Sequence, residues 1–302
     1  MPSPGDAIVG VLRQADSLAA SAGAVASDWS SVLADSDGLD WFERRDPEHI
    51  RRTLPTMKAY AELYHRAEVR GVENIPAEGP VLLVGNHSGG TLIADTFVFA
   101  AAFYDHFGPN RAFHQLAHDL VFRVPGVRAL LARWGTVPAS PANMARALEL
   151  GAALLVYPGG DWETYRPSWE SAKIDFAGRK GFARLALEHD VPVVPVVAIG
   201  GQETGLFLGQ GARLARALRL DKTMRLKVLP AVLGPPVGPT ILDLPLRVPI
   251  PAKITVSVGT PIDLRAKLGR RAGAEEAYEL VTTNMQRTLT RLGNERTAPV
   301  VG

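Results

Sequence analysis

Three segments of the chain combine small residues with groups able to move a proton or hold a charge. In residues 81–90, VLLVGNHSGG, an aliphatic run gives way at Gly85 to Asn86, His87 and Ser88. A histidine titrates near neutral pH and can take the proton of an alcohol as it attacks a carbonyl. Its glycine neighbours let a substrate approach closely. The competing structural role is a packed or capping histidine. In residues 156–167, VYPGGDWETYRP, a second aliphatic run ends in Pro-Gly-Gly and is followed by Asp161, Glu163 and Arg166. An arginine there can hold a phosphate by paired hydrogen bonds, and the amides of Gly159 and Gly160 can cradle an oxyanion. The plainer role is a turn with a surface ion pair. In residues 189–201, HDVPVVPVVAIGG, Pro192 and Pro195 interrupt an apolar run, which favours a strand start and a bend with a structural role.

These segments need a scaffold, and the apolar pattern supplies one. Strands are predicted at 69–72, 81–85, 154–157, 193–199, 225–229 and 254–258. Helical spacing lies between them near 91–104, 119–133, 141–150, 178–189, 210–219 and 273–292. Continuous aliphatic strands separated by helices predict an α/β fold: a central mixed, largely parallel sheet flanked by helices. Ligands bind at the carboxyl ends of strands in such sheets, where His87 and the Pro158-Gly159-Gly160 turn both fall. A helix with Pro47 in its first turn is predicted over 46–64, with Pro55 kinking or dividing it. Residues 234–251 are rich in Pro and Gly and are predicted to form a long ordered loop. Residues 1–40 hold six Asp and one Arg and read as an acidic arm, mobile or weakly helical, ahead of a single domain over 41–302.

Composition narrows the function further. Hydrophobic residues make up 46% of the 302, enough for a sizeable core. A net charge of +2 is too balanced for a general nucleic-acid binder, so no nucleic-acid partner is expected. With no cysteine, the chain has no disulfide, no thiolate metal site and no cysteine nucleophile. The first residues lack the basic and apolar regions of a signal peptide. The greasiest stretch, 91–104, is too short to span a bilayer and carries Asp95. These features predict a cytoplasmic chain that meets a membrane only peripherally.

Taken in order, the motifs resemble the phospholipid/glycerol acyltransferase superfamily, and most closely its monoacylglycerol and diacylglycerol acyltransferase-like branch. The resemblance rests on Val69-Arg-Gly-Val-Glu-Asn-Ile-Pro76, Gly85-Asn-His87, Pro158-Gly-Gly-Asp-Trp-Glu163, the run 191–196 and Val256-Ser-Val-Gly-Thr-Pro-Ile262. It extends over about residues 45–290. Two positions depart from the superfamily pattern. The usual box is His-x4-Asp, but the fifth residue after His87 is Leu92, and the next acid is Asp95. On one continuous helix those eight residues would rise roughly 12 Å, so Asp95 reaches His87 only if Ser88–Gly90 form a loop first. Gly159 also stands where the commoner motif has Glu, which weakens the transfer of a glycerophosphate-binding role to that loop.

The resemblance implies an O-acyltransferase moving a fatty acyl group from acyl-CoA or acyl-carrier protein to a glycerolipid or related lipid alcohol. No cofactor and no metal are implied. It makes His87 the general base and Asp95 its orienting partner, with Asp161 or Glu163 in reserve. Asn86, Ser88, Gly159, Gly160, Asp161, Glu163 and Arg166 would line the substrate site. It also implies work at the inner face of a membrane. The stretch 211–220, with Arg213, Arg216 and Arg219 spaced by three and Leu214 and Leu218 beside them, suits anionic headgroups, with Lys222, Arg225 and Lys227 nearby. Its alternative is a solvated helix that packs its leucines inward. Two rival functions stay open: a serine esterase or lipase, and a non-catalytic lipid-binding protein of the same fold. The esterase elbow Gly-x-Ser-x-Gly is broken, because Asn86 occupies its first glycine. A nucleotide-binding site has neither Gly-x-Gly-x-x-Gly after a strand nor a P-loop to support it.

Overall fold

Strand β2 (Val81–Gly85) is buried at every residue, as its unbroken aliphatic sequence requires of a strand with elements on both faces. It pairs in parallel with β5 (Ala153–Val156) on one side and β6 (Val193–Ile199) on the other. Beyond β5 lie β3 (Phe113–Ala117) and β4 (Thr136–Pro138), both parallel. Beyond β6 lies β10 (Thr255–Val258), antiparallel to it, and then β1 (Glu68–Arg70). The result is a seven-stranded mixed sheet in the order β1-β10-β6-β2-β5-β3-β4. The expected architecture is present. The computed structural model describes residues 40–302 except 92, 120, 124, 224–226, 237 and 242–246. All but Asp40 of the acidic arm therefore lies outside the described residues.

Alternation along the strands divides the core in two. Val81, Leu83, Ala153 and Leu155 face helices α1 (Pro47–Ala59) and α2 (Ala94–Phe107), meeting Ile50, Phe99 and Phe103. Leu82, Val84, Leu154 and Val156 face α4 (Pro141–Glu149), α6 (Gly181–His189) and α10 (Ala274–Glu295). Helix α10 buries Ala277, Val281, Met285, Leu289 and Leu292, one face of a 3.6-residue period. Caps fix the starts of others: Asp46 accepts from the amides of Glu48 and His49, and Ser140 from that of Asn143.

A second, three-stranded antiparallel sheet consists of β7 (Leu206–Gly209), β8 (Ala231–Gly234) and β9 (Gly238–Ile241). Between β7 and β8 the chain makes the short helices α7 (Ala212–Ala217) and α8 (Leu220–Thr223). Elsewhere lie α3 (Pro125–Arg133), α5 (Gly160–Thr164) and α9 (Leu264–Leu268).

Several expectations are corrected here. The strand expected at 225–229 is absent over its described part, 227–229; the chain begins pairing at Ala231 instead. The loop expected over 234–251 contains β9, because Gly238–Ile241 pairs back onto β8. Strands β3, β4 and β7 were not legible: β3 buries the polar His114 and Gln115, and β4 and β7 have three and four residues. Helix α1 runs through Pro55 and passes into a π-helical turn at Tyr60–Tyr64, so it is not divided there. Strand β6 is continuous across Pro195, whose carbonyl accepts from Gly259 just past the end of β10. The missing proline N–H therefore falls where the ladder has already ended.

Candidate active site

At the carboxyl end of β2 the side chain of Asn86 replaces a strand residue. Its amide donates to the carbonyl of Ala198 and its oxygen accepts from the amide of Ala198, both at 2.8 Å. Asn86, expected to line the substrate site, is wholly buried here and straps β2 to β6, which fixes where the next residue points.

That next residue is His87. Its imidazole stacks on Tyr157 at 4.1 Å and 18° between ring planes. Gly85 makes the stack possible, since a Cβ there would lie 2.4 Å from the tyrosine ring. The described residues between His87 and Ala94 are non-helical, and Gly89 and Gly90 adopt φ of +97° and +73°, the left-handed region glycine enters without strain. The loop required for the eight-residue spacing is thus present. It returns Asp95, in the first turn of α2, to within 3.7 Å of His87 Nδ1. Nδ1 is buried and makes no hydrogen bond at this distance. Such contacts commonly tighten only once substrate is bound.

Asp95 is held from several sides. Its Oδ2 accepts from the Ser88 amide and the Ser88 hydroxyl, each at 3.0 Å, and its Oδ1 accepts from the Thr96 amide at 2.8 Å. Ser88, expected to line the substrate site, is buried with its hydroxyl engaged by Asp95. Thr96 also donates to the hydroxyl of Tyr157 at 2.9 Å. Burial, and then the charge of Asp95, push the Tyr157 phenol well above its usual range, so it stays neutral beneath the imidazole.

The second loop frames the histidine with charge. Glu163 is fully buried: one carboxylate oxygen accepts from the His87 amide at 3.0 Å, and the other faces Arg166 Nη1 at 3.0 Å and accepts from the Asp175 amide at 3.3 Å. Burial raises its pKa, and the arginine opposes that rise. A Cβ at Gly159 would sit 2.6 Å from Glu163 Oε2, so this carboxylate fills the space beside the glycine. Arg166 is turned inward against Glu163 and is buried. Asp161 is paired with Arg179 at 2.8 Å and accepts from the Lys227 amide at 2.8 Å. Neither reserve carboxylate reaches the imidazole; Asp95 is the one beside Nδ1. The amide of Gly160, expected to help cradle an oxyanion, donates to the Tyr157 carbonyl at 3.1 Å within the turn.

Four contributors were missed. Tyr157 could have been suspected from the glycine opposite it, at Gly85. Gln202 accepts from the Gly89 amide at 3.2 Å and donates to the Arg166 carbonyl. Buried Arg247 donates to the Gly89 carbonyl at 2.7 Å and to Thr204. Arg179 donates to the Gly159 carbonyl at 2.7 Å. The last three are distant in sequence, and no local pattern signals them.

The chain is similar to known proteins over much of its length. The family model described as Acyltransferase matches residues 66–199, which include His87, Asp95 and the whole 156–167 loop. An uncharacterised protein of Mycobacterium tuberculosis is 31% identical over 208 residues, 69% of this chain and 55% of that one. A Bos taurus protein named as a DGAT1/2-independent enzyme synthesizing storage lipids is 34% identical over 169 residues, 56% of this chain and 49% of that one. The chain thus spans about half the length of the curated relatives it matches. Among solved structures, the 1-acyl-sn-glycerophosphate acyltransferase PlsC of Thermotoga maritima shares the fold, with a TM-score of 0.52 over 95% of this chain and 99% of that one, at 16% identity.

Proposed function

We propose that this chain, whose residues 66–199 match the Acyltransferase family model, transfers a fatty acyl group from an acyl thioester to the hydroxyl of a glycerolipid or related lipid alcohol. The observation that carries the reading is the buried Asp95 carboxylate 3.7 Å from Nδ1 of a histidine whose ring is still partly exposed. Asp95 holds the neutral imidazole with its proton on Nδ1, leaving Nε2 to accept the proton of the acceptor hydroxyl. The oxygen then attacks the thioester carbonyl, the C–S bond breaks, and the proton passes from the imidazolium to the departing thiolate. No acyl-enzyme forms. The relatives' names, a storage-lipid enzyme and a lysophosphatidate acyltransferase, favour a glycerolipid acceptor. The esterase alternative loses its nucleophile, since the Ser88 hydroxyl is buried against Asp95.

No described helix is long and apolar enough to cross a membrane, and we place the enzyme peripherally at the inner face of one. The donor is acyl-CoA or acyl-carrier protein, and no further cofactor is called for. The test is a lipid-extract assay with each labelled donor and mass spectrometry of the products. His87→Ala should lower turnover by about a thousandfold while the thermal midpoint stays unchanged. A folded His87→Ala protein with wild-type transfer would sink the proposal, and a serine-directed phosphonate should leave the wild type untouched.

A further inference from the structure

The small sheet inverts the usual pattern of an antiparallel sheet with one face on a core, in which the outward residues are polar. Its inner residues Phe207 and Val232 are buried against Tyr165, Val228 and Trp162. Its outer residues are Leu206, Leu208, Leu233 and Ile241, between 39% and 58% exposed. The register sets Leu206 opposite Leu233, and Ala231 opposite Ile241, so the outward side chains form one patch rather than scattered leucines.

The excursion that links β7 and β8 is basic. It is closed at its base by the Leu229 amide donating to the Gln210 carbonyl at 2.8 Å. Its helix α7 buries Ala215 and leaves Leu214 and, just past its end, Leu218 exposed, so the leucines do not pack inward. Exposed Arg213, Arg216, Lys222 and Lys227 accompany them. Residues 205–241 contain six Lys and Arg and a single acid, Asp221, in a chain whose whole net charge is +2.

We propose that the outer face of this sheet, together with α7, docks the protein on a lipid bilayer bearing anionic headgroups. Apolar side chains at the depth of the acyl boundary with cations beside them are the combination such a surface selects. A second copy is disfavoured as the occupant, because two such faces would bring like charges together. The platform is joined to the site: Phe207 N donates to Ser168 Oγ at 2.9 Å, Gln210 Nε2 to the Trp162 carbonyl at 2.6 Å, and Tyr165 bonds Thr91 at 2.6 Å. Docking would therefore set the loops around His87 at the membrane, a purpose that rests on the proposed lipid acceptor.

The test is flotation of the full chain with phosphatidylcholine vesicles, with and without phosphatidylglycerol. The wild type should float with the anionic vesicles, and less at high salt. Leu208→Asp with Ile241→Asp should lower binding at least tenfold at every salt concentration. Arg213→Glu with Arg216→Glu should abolish the anionic preference, both pairs keeping the wild-type thermal midpoint. His87→Ala should float like the wild type, which separates docking from catalysis. The proposal is overturned if the wild type does not bind anionic vesicles, or if both folded pairs bind as it does. It is also overturned if light scattering shows a dimer that Leu208→Asp dissolves, which would assign the face to a second copy.

Discussion

The two sheets use the same residue types toward opposite ends. In the seven-stranded sheet, leucine and valine on both faces of β2 are covered by helices, and the strand end holding His87 is tied to its neighbour through Asn86. In the three-stranded sheet one face covers a small core around Phe207 and Val232 and the other presents leucines to the surroundings. The large sheet fixes the position of the histidine. The small one contributes few buried contacts and carries an apolar surface that can take a partner. His87 lies at the seam, where the 86–93 loop of the first meets the 158–168 segment that supports the second.

That contrast can be broken first through the core. Leu83→Ala opens a space in the middle of β2, where Leu83 is fully buried, and should cost about 3 kcal/mol in a urea titration. A cost under ~1 kcal/mol would show the large sheet to be looser than its packing implies. Acid provides a second probe of the same layer. Burial lowers the pKa of His114 to about 4, while its Nδ1 donates to the Gly135 carbonyl at 3.0 Å. The folded value lies below the unfolded one, so the unfolded chain takes up the proton first and stability falls as pH drops from about 6.5 to about 4. His65, also lowered by burial, acts in the same direction. His114→Gln keeps a donor but not the titration, and its stability should decline less over that window, by on the order of 2 kcal/mol. Parallel curves for the two proteins would refute the assignment.

At the seam the effect should appear in rate as well as in stability. Asp95→Asn retains the size of the side chain but removes the charge that orients His87. Activity per folded molecule should fall by about a hundredfold, beyond the stability lost because the asparagine amide faces the Ser88 or Thr96 N–H. A drop in stability with normal activity per folded molecule would make Asp95 a cap of α2 and nothing more.

How much of this the sequence reveals depends on how locally each feature is encoded. Strands β2 and β6 and helix α10 were legible because continuous aliphatics and a four-residue recurrence have few other uses. The pairing of His87 with Asp95 was legible as a condition, since two glycines had to make a loop, and they do. The small sheet was not. Its strands have four residues each, its outward positions are apolar where a half-covered strand should alternate, and Pro239 lies within β9. The roles of Arg166 and Asp161 were also hidden, because burial against Glu163 and pairing with Arg179 are set by tertiary contacts. Arg247 supports Gly89 from 158 residues away, and nothing near either residue announces it.

The smallest effect is the sharpest test of the comparison. Leu208→Ala makes the same chemical change as Leu83→Ala, on a side chain that is about half exposed. With no void created and little area returned to water, it should shift stability by less than about 0.5 kcal/mol. It should nevertheless weaken flotation on anionic vesicles, because the area Leu208 would bury lies in the bilayer rather than in the fold. If instead Leu208→Ala destabilises the protein in solution as Leu83→Ala does, the outer face is already covered in the free chain. The leucines of the small sheet would then belong to the same interior logic as those of the large one.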